Sequence, residues 1–161
     1  MTPVSPLDNI RSWRDAASWR AQQTGRVVFT NGVFDLLHPG HIDVILGARA
    51  CGDCLIVGIN SDDSVRRLKG PERPVRCEAD RAYVLAALAA VDCVTVFDQD
   101  TPLDLIQTLT PDVIVKGGDY DPSTVVGAAE TRARGGDVVI VPLTPGHSTT
   151  ATIAKLRSGT A

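Results

Sequence analysis

His38 and His41 stand three positions apart with only Pro39 and Gly40 between them, and they are two of the three histidines in a chain of 161 residues. Proline at the first position of a helix loses no hydrogen bond, which makes His38 the N-cap and sets His41 one turn inside. First-turn N–H groups lack backbone partners there, and the helix dipole is positive at that end. Gly40 has no side chain to keep a ligand from the backbone. Two imidazoles are thereby added to an anion-binding helix terminus, each able to donate to a phosphate oxygen. Just upstream, Thr30, Asn31, Gly32, Val33 and Phe34 offer further backbone donors beside a strand end. On spacing alone, a competing reading keeps His38 as a plain cap and His41 as a surface histidine.

The elements that must position this pair alternate along the chain. Apolar, β-branched runs at 27–30, 55–59, 94–97, 113–115 and 138–141 predict five strands covered on both faces. Helical patterns lie at 8–22, 40–50, 79–90, 102–109, 122–134 and 149–157. Thr101 followed by Pro102 predicts a helix start, and Gly135-Gly136 a stop. The expected fold class is α/β, a doubly wound five-stranded parallel sheet with right-handed crossovers. Residues 1–24 read as an N-terminal helical extension and 25–161 as one domain. Ligands of such sheets sit beyond the carboxyl ends of the strands, which selects the loops at 30–41, 60–76, 116–121 and 142–150.

Composition narrows the function classes. A formal charge of −3 argues against a nucleic-acid-binding face. No run approaches the roughly 18 apolar residues that span a bilayer. Asp8, Arg11, Arg14 and Asp15 interrupt the place where a signal peptide needs its apolar segment, so a cytoplasmic chain is expected. Cys51 and Cys54 have the spacing of a redox pair or half a zinc site. No second Cys/His pair follows, so the sequence predicts core thiols and no protein-held metal.

The segment Gly32-Val-Phe-Asp-Leu-Leu-His-Pro-Gly-His41 resembles the G-x-F-D-x-x-H-x-G-H signature of the cytidylyltransferase-like nucleotidyltransferases. The resemblance extends over roughly residues 25–157 and implies a Rossmann-like nucleotidyltransferase fold. Asn60-Ser-Asp62, Arg67-Leu-Lys-Gly70, Arg73-Pro74, Val115-Lys-Gly-Gly-Asp-Tyr120 and Gly146-His-Ser-Thr-Thr150 look like segments of bacterial D-glycero-D-manno-heptose 1-phosphate adenylyltransferases. In that family the domain is often the C-terminal half of a fusion with a sugar kinase, and this chain reads as its stand-alone form. Glycerol-3-phosphate cytidylyltransferases are less similar. They carry an arginine where Leu143 stands, and Met-Gly-Asp-Asp-Trp where this chain has Lys116-Gly-Gly-Asp-Tyr120. The implied reaction transfers AMP from ATP, brought with Mg²⁺, to a heptose 1-phosphate and releases pyrophosphate, for cell-surface glycan synthesis. Another phosphate-monoester acceptor, or a nucleotide-binding module without turnover, are the alternatives.

The resemblance also implies roles. His38, His41 and Lys69 are the catalytic group, with Lys69 in a mobile loop that closes over the phosphates. Thr30 to Phe34, Gly40, Lys116, Gly117, Asp119, Ser148, Thr149 and Thr150 surround the nucleotide. Asp35, Lys69 and Arg81 fall on the acceptor side. Asp35 is read as a brace for the loop or helix start. Arg81 is left open between binding the incoming phosphate and pairing with Glu78 and Asp80. His147 is left open between a third phosphate donor and an exposed turn residue. A homo-oligomer is implied, with the N-terminal helix as the expected contact.

Overall fold

The apolar runs pair into one parallel sheet in the computed structural model, which describes residues 5–159. The strands are β1 (Val27–Gly32), β2 (Cys54–Asn60), β3 (Cys93–Phe97), β4 (Val113–Gly117) and β5 (Asp137–Val141), in the order β3-β2-β1-β4-β5. Carboxylates fix where strands begin: Val27 N–H donates to Asp112 at 2.8 Å and Leu55 N–H to Asp92 at 2.8 Å. The register sets Thr30 beside Val57 on one side and Val115 on the other. The chain moves outward from β1 to β3 and then returns to place β4 on the opposite side. The gap between the ends of β1 and β4 is therefore the topological switch point, where such sheets bind ligands.

Helices cover both faces. On one, α2 (Pro39–Arg49) and α4 (Glu78–Ala86) bury Ile45, Ala48, Ala82 and Leu85 against Val28, Val57 and Val115. On the other, α1 (Trp13–Ala21) and α5 (Leu103–Leu109) bury Ala16, Leu105, Ile106 and Leu109 against Phe29, Ile56 and Ile114. The remaining helices are α3 (Asp62–Lys69), α6 (Ala128–Ala133) and α7 (Thr149–Ser158).

Several expectations are corrected. The 60–76 segment is not all loop: α3 fills 62–69, capped by Ser61, whose Oγ accepts from Ser64 N–H at 3.0 Å. Asp62 and Asp63 in its first turn and Arg66, Arg67 and Lys69 in its last match the helix dipole. The 122–134 helix shrinks to Ala128–Ala133. Asp121 holds Ser123 and Thr124 in a turn, and Gly127 adopts φ +82° just before the helix. Pro102, not Thr101, is the N-cap of α5. The helix expected over 79–90 spans Glu78–Ala86.

The 8–22 helix divides into a 3-10 turn, Pro6–Asn9, and α1. Between them Ile10 bridges Val94, and Arg11 N–H donates to Val94 O at 2.9 Å, so this segment extends the β3 edge. Ala16 is buried in the chain's own core, and Trp13, Ala17 and Trp19 pack against it while partly exposed. Cys54 and Cys93 lie in strands, and burial pushes the Cys93 thiol up to about 11. All four cysteines are free, and among the described residues no group of three His, Cys, Asp or Glu is placed to hold a metal. No described helix is long and apolar enough to cross a membrane.

Candidate active site

The β1–α2 connection is the centre of the candidate site. β1 runs on to Gly32, so Thr30, Asn31 and Gly32 stand in register with Val57, Gly58 and Ile59, and the turn proper starts at Val33. Phe34 and Leu36 both take left-handed backbone angles, φ 50° and 51°, which non-glycine residues rarely adopt. Burial holds the first of them: Phe34 is 6% exposed and its ring lies 5.3 Å from that of His41.

Asp35 is the anchor between these two strained residues. Its side chain is fully buried and accepts from Val75 N–H at 2.7 Å, Arg76 N–H at 3.0 Å and Arg73 Nε at 3.2 Å. The carboxylate thus ties the histidine turn to the segment that follows α3, as a brace. Arg81 does a similar task from below. It is 3% exposed, and its guanidinium donates to Val33 O, Asn60 O, Arg76 O and Asp62 Oδ1 at 2.7–3.0 Å. Its acidic partner is Asp62, not Glu78 or Asp80. With every side-chain nitrogen engaged inside the protein, Arg81 holds the residues that follow β1 and β2 together.

His38 is the N-cap of α2 and Pro39 the first helical residue, as the spacing predicts. The two imidazoles stack, with centroids 3.7 Å apart and planes inclined by 19°. Neither makes a hydrogen bond to another described residue, and the Nδ1 atoms of both, like Thr30 Oγ1, are buried without a partner. Burial and the neighbouring His38 charge, partly offset by Asp35, lower the His41 pKa to about 4. Burial and the His147 charge also lower that of His38. At neutral pH the pair is uncharged, a state in which each ring has one N–H to donate. Gly40 lets them pack closely: a Cβ there would lie 3.1 Å from the His38 ring, which would have to shift by a few tenths of an ångström.

The switch point adds cations. Lys116, at the end of β4, reaches across to β1 with its Nζ 3.4 Å from both Asn31 O and Asn31 Oδ1. Burial, then the Lys69 charge, lower its pKa. Lys69 is the last residue of α3 and exposed, so it sits on a helix end and not within a loop; Gly70 beyond it takes φ +99°. Gly117 lets α2 approach the sheet, since a Cβ there would stand 2.4 Å from Val44 Cγ2. Asp119 and Tyr120 are exposed beyond it.

The fourth loop closes over the first. Ser148 caps α7, with its Oγ accepting from Ala151 N–H at 3.4 Å. Thr149 Oγ1 donates to Asp35 O at 2.8 Å, and Thr144 bonds Asp43 of α2. Thr150 lines a cleft of about 500 Å³ together with Lys69, Arg73 and Arg157. Sequence patterns missed Arg73 as a partner of Asp35, because 38 residues separate them.

Residues 29–155 match the cytidylyltransferase-like family. The bifunctional protein HldE of Acidiphilium cryptum (strain JF-5) is 59% identical over 143 residues, 89% of this chain and 29% of that protein. The protein of the same name from Hyphomonas neptunium (strain ATCC 15444) is 61% identical over 141 residues, 88% and 29% of the respective chains. The chain therefore spans about three tenths of the length of these curated relatives. Among solved structures, a lipopolysaccharide core biosynthesis protein from Thermoplasma volcanium GSS1 superposes with a TM-score of 0.61 at 27% identity, covering 74% of this chain and 97% of that one. Pantoate-beta-alanine ligase from Francisella tularensis, at 16% identity and a TM-score of 0.57 over 84% of this chain and 68% of its own, shares the fold. With the parallel sheet and the histidine pair at the start of α2, these matches establish that the chain belongs to the cytidylyltransferase-like family.

Proposed function

We propose that this chain transfers a nucleoside monophosphate, AMP from ATP, to a heptose 1-phosphate. An oxygen of the sugar phosphate attacks the α-phosphorus, the bond to the β-phosphate oxygen breaks, and pyrophosphate leaves. A phosphate monoester dianion is already a nucleophile, so the protein needs no base of its own. Its tasks are alignment and neutralisation of the charge that builds on phosphate oxygens. The observation that carries this reading is the stacked, uncharged His38–His41 pair at the N-terminus of α2, beside a switch point bridged by Lys116.

In this reading His38 and His41 donate to the α- and β-phosphates, and Lys69 approaches from the end of α3. Lys116 and Asn31 sit where the two substrates meet. Ser148, Thr149 and Thr150 border the triphosphate at the start of α7, and Asp119 accepts from a sugar or ribose hydroxyl. Mg²⁺ fits as a cation carried by the triphosphate, because its preferred ligands are phosphate and water oxygens and the side chains near the histidines form no dedicated cage. Bound there, it would supply charge neutralisation on the same oxygens. The heptose assignment rests on the Lys116–Tyr120 and Gly146–Thr150 segments.

The test is pyrophosphate release with Mg²⁺ and each of four nucleoside triphosphates. Acceptors are heptose 1-phosphates of both anomers, glycerol 3-phosphate and 4′-phosphopantetheine, with His41→Ala as control. Release with ATP and a heptose 1-phosphate, abolished in the control, is the expected result. Release only with CTP and glycerol 3-phosphate would refute the sugar while keeping the phosphate site. Nucleotide binding without release from any pair would make the chain a binding module.

A further inference from the structure

His147 is the one histidine that the reading above leaves without a task. It follows Gly146 (φ +84°) and precedes Ser148, the N-cap of α7, so it stands at the N-terminus of one helix. Its ring also lies over the N-terminus of another: the centroid is 6.1 Å from that of His38, and the planes differ by 16°. The loop that carries it is pinned on both sides of it to the β1–α2 unit, by Thr144 to Asp43 and by Thr149 to the backbone of Asp35. Gly40 lies beneath it, with the position a Cβ would take 3.4 Å from His147 Cβ, at van der Waals contact.

An exposed turn histidine needs none of this. His147 is exposed, and its ring makes no hydrogen bond to another described residue, so truncating it removes no core contact. The three imidazoles form a row from His41, against buried Phe34, through His38 to His147 at the surface. In the reaction proposed above, the substrates meet at the switch point, which is the inner end of this row. With the α-phosphorus at that inner end, the phosphates that leave lie toward the outer end, where His147 is exposed.

We propose that His147 is a third phosphate-binding imidazole, which donates to the part of the triphosphate that leaves as pyrophosphate. The proposal rests on the nucleotidyltransferase reading but not on the identity of the sugar. Binding measurements without acceptor therefore separate the two. The full chain, His147→Phe, which keeps a flat ring without a donor, and His147→Asn, which keeps a donor, would be titrated calorimetrically with ATP, AMP and pyrophosphate.

One charge-assisted hydrogen bond at an exposed position predicts that His147→Phe weakens ATP and pyrophosphate about fivefold to tenfold. AMP should be unchanged, and His147→Asn should recover part of the loss. Equal affinities for ATP in the unaltered chain and His147→Phe would overturn the proposal. So would an equal loss for AMP, which would mean that the ring only shapes the loop. Failure of the unaltered chain to bind ATP would overturn both this and the functional reading, whereas triphosphate-selective loss with no turnover on any sugar would sink only the acceptor.

Discussion

His38 and His41 face one another as stacked rings 3.7 Å apart, and burial of the pair lowers the pKa of each. Burial is the larger cause for both; the His38 charge adds to it at His41, and the His147 charge at His38. His41, at about 4, lies below its ordinary 6.5. The folded chain thus binds fewer protons than the unfolded chain between those values. The contribution to stability is full above 6.5 and is lost as the pH falls toward about 4. Urea midpoints at pH 7.5 and 5 should differ more in the unaltered chain than in His41→Gln. A triphosphate beside the rings reverses the balance, because a nearby anion favours the charged imidazole. Binding of ATP near pH 6 should therefore take up protons, seen as a calorimetric enthalpy that varies with buffer ionisation heat. A buffer-independent enthalpy would count against the anion lying on this pair.

Arg81→Lys separates bracing from substrate contact. Lysine has no planar fork with which to hold Val33 O, Asn60 O, Arg76 O and Asp62 together. Losing such buried bonds should lower stability by about 3 kcal/mol, with the thermal midpoint falling several degrees. A variant that melts like the parent yet shows a raised KM for the sugar phosphate would restore Arg81 to the acceptor site.

Asp35→Asn should loosen the connection between the histidine turn and the segment after α3. It removes the charge that faces Arg73 and weakens acceptance from Val75 and Arg76. Breaking a buried pair from one side costs about 3 kcal/mol. Faster amide exchange at residues 73–76, beyond any change in the sheet, is the measurement that reports it.

Gly117→Ala should destabilise the chain by about 1–3 kcal/mol, because the new Cβ would meet Val44 Cγ2 at 2.4 Å. Val44→Ala in the same chain should recover part of that loss by removing the methyl groups in the way. A double variant no better than the sum of the two single ones would show that the backbone, not Val44, resists the change.

The periodicity of apolar runs and the order of strands and helices were sufficient for a parallel α/β sheet, because strands buried on both faces leave few polar positions. The Pro39 and Gly40 spacing likewise defined the start of α2 and its histidines, since cap and dipole are properties of a few consecutive residues. The resemblance of residues 25–157 to known nucleotidyltransferases gave the reaction class proposed for it. Long-range placement lay beyond it. The sequence did not show that Asp35 holds Arg73, that Arg81 pairs with Asp62 from beneath Val33, or that Lys116 reaches Asn31 across the switch point. Nor did it show that Lys69 ends a helix, or that Trp13 and Ala16 serve the chain's own core. These follow from strand order, which brings β1 and β4 together from positions 85 residues apart. Local propensity fixes which residues begin and end an element. Packing of the finished sheet alone decides which side chains meet.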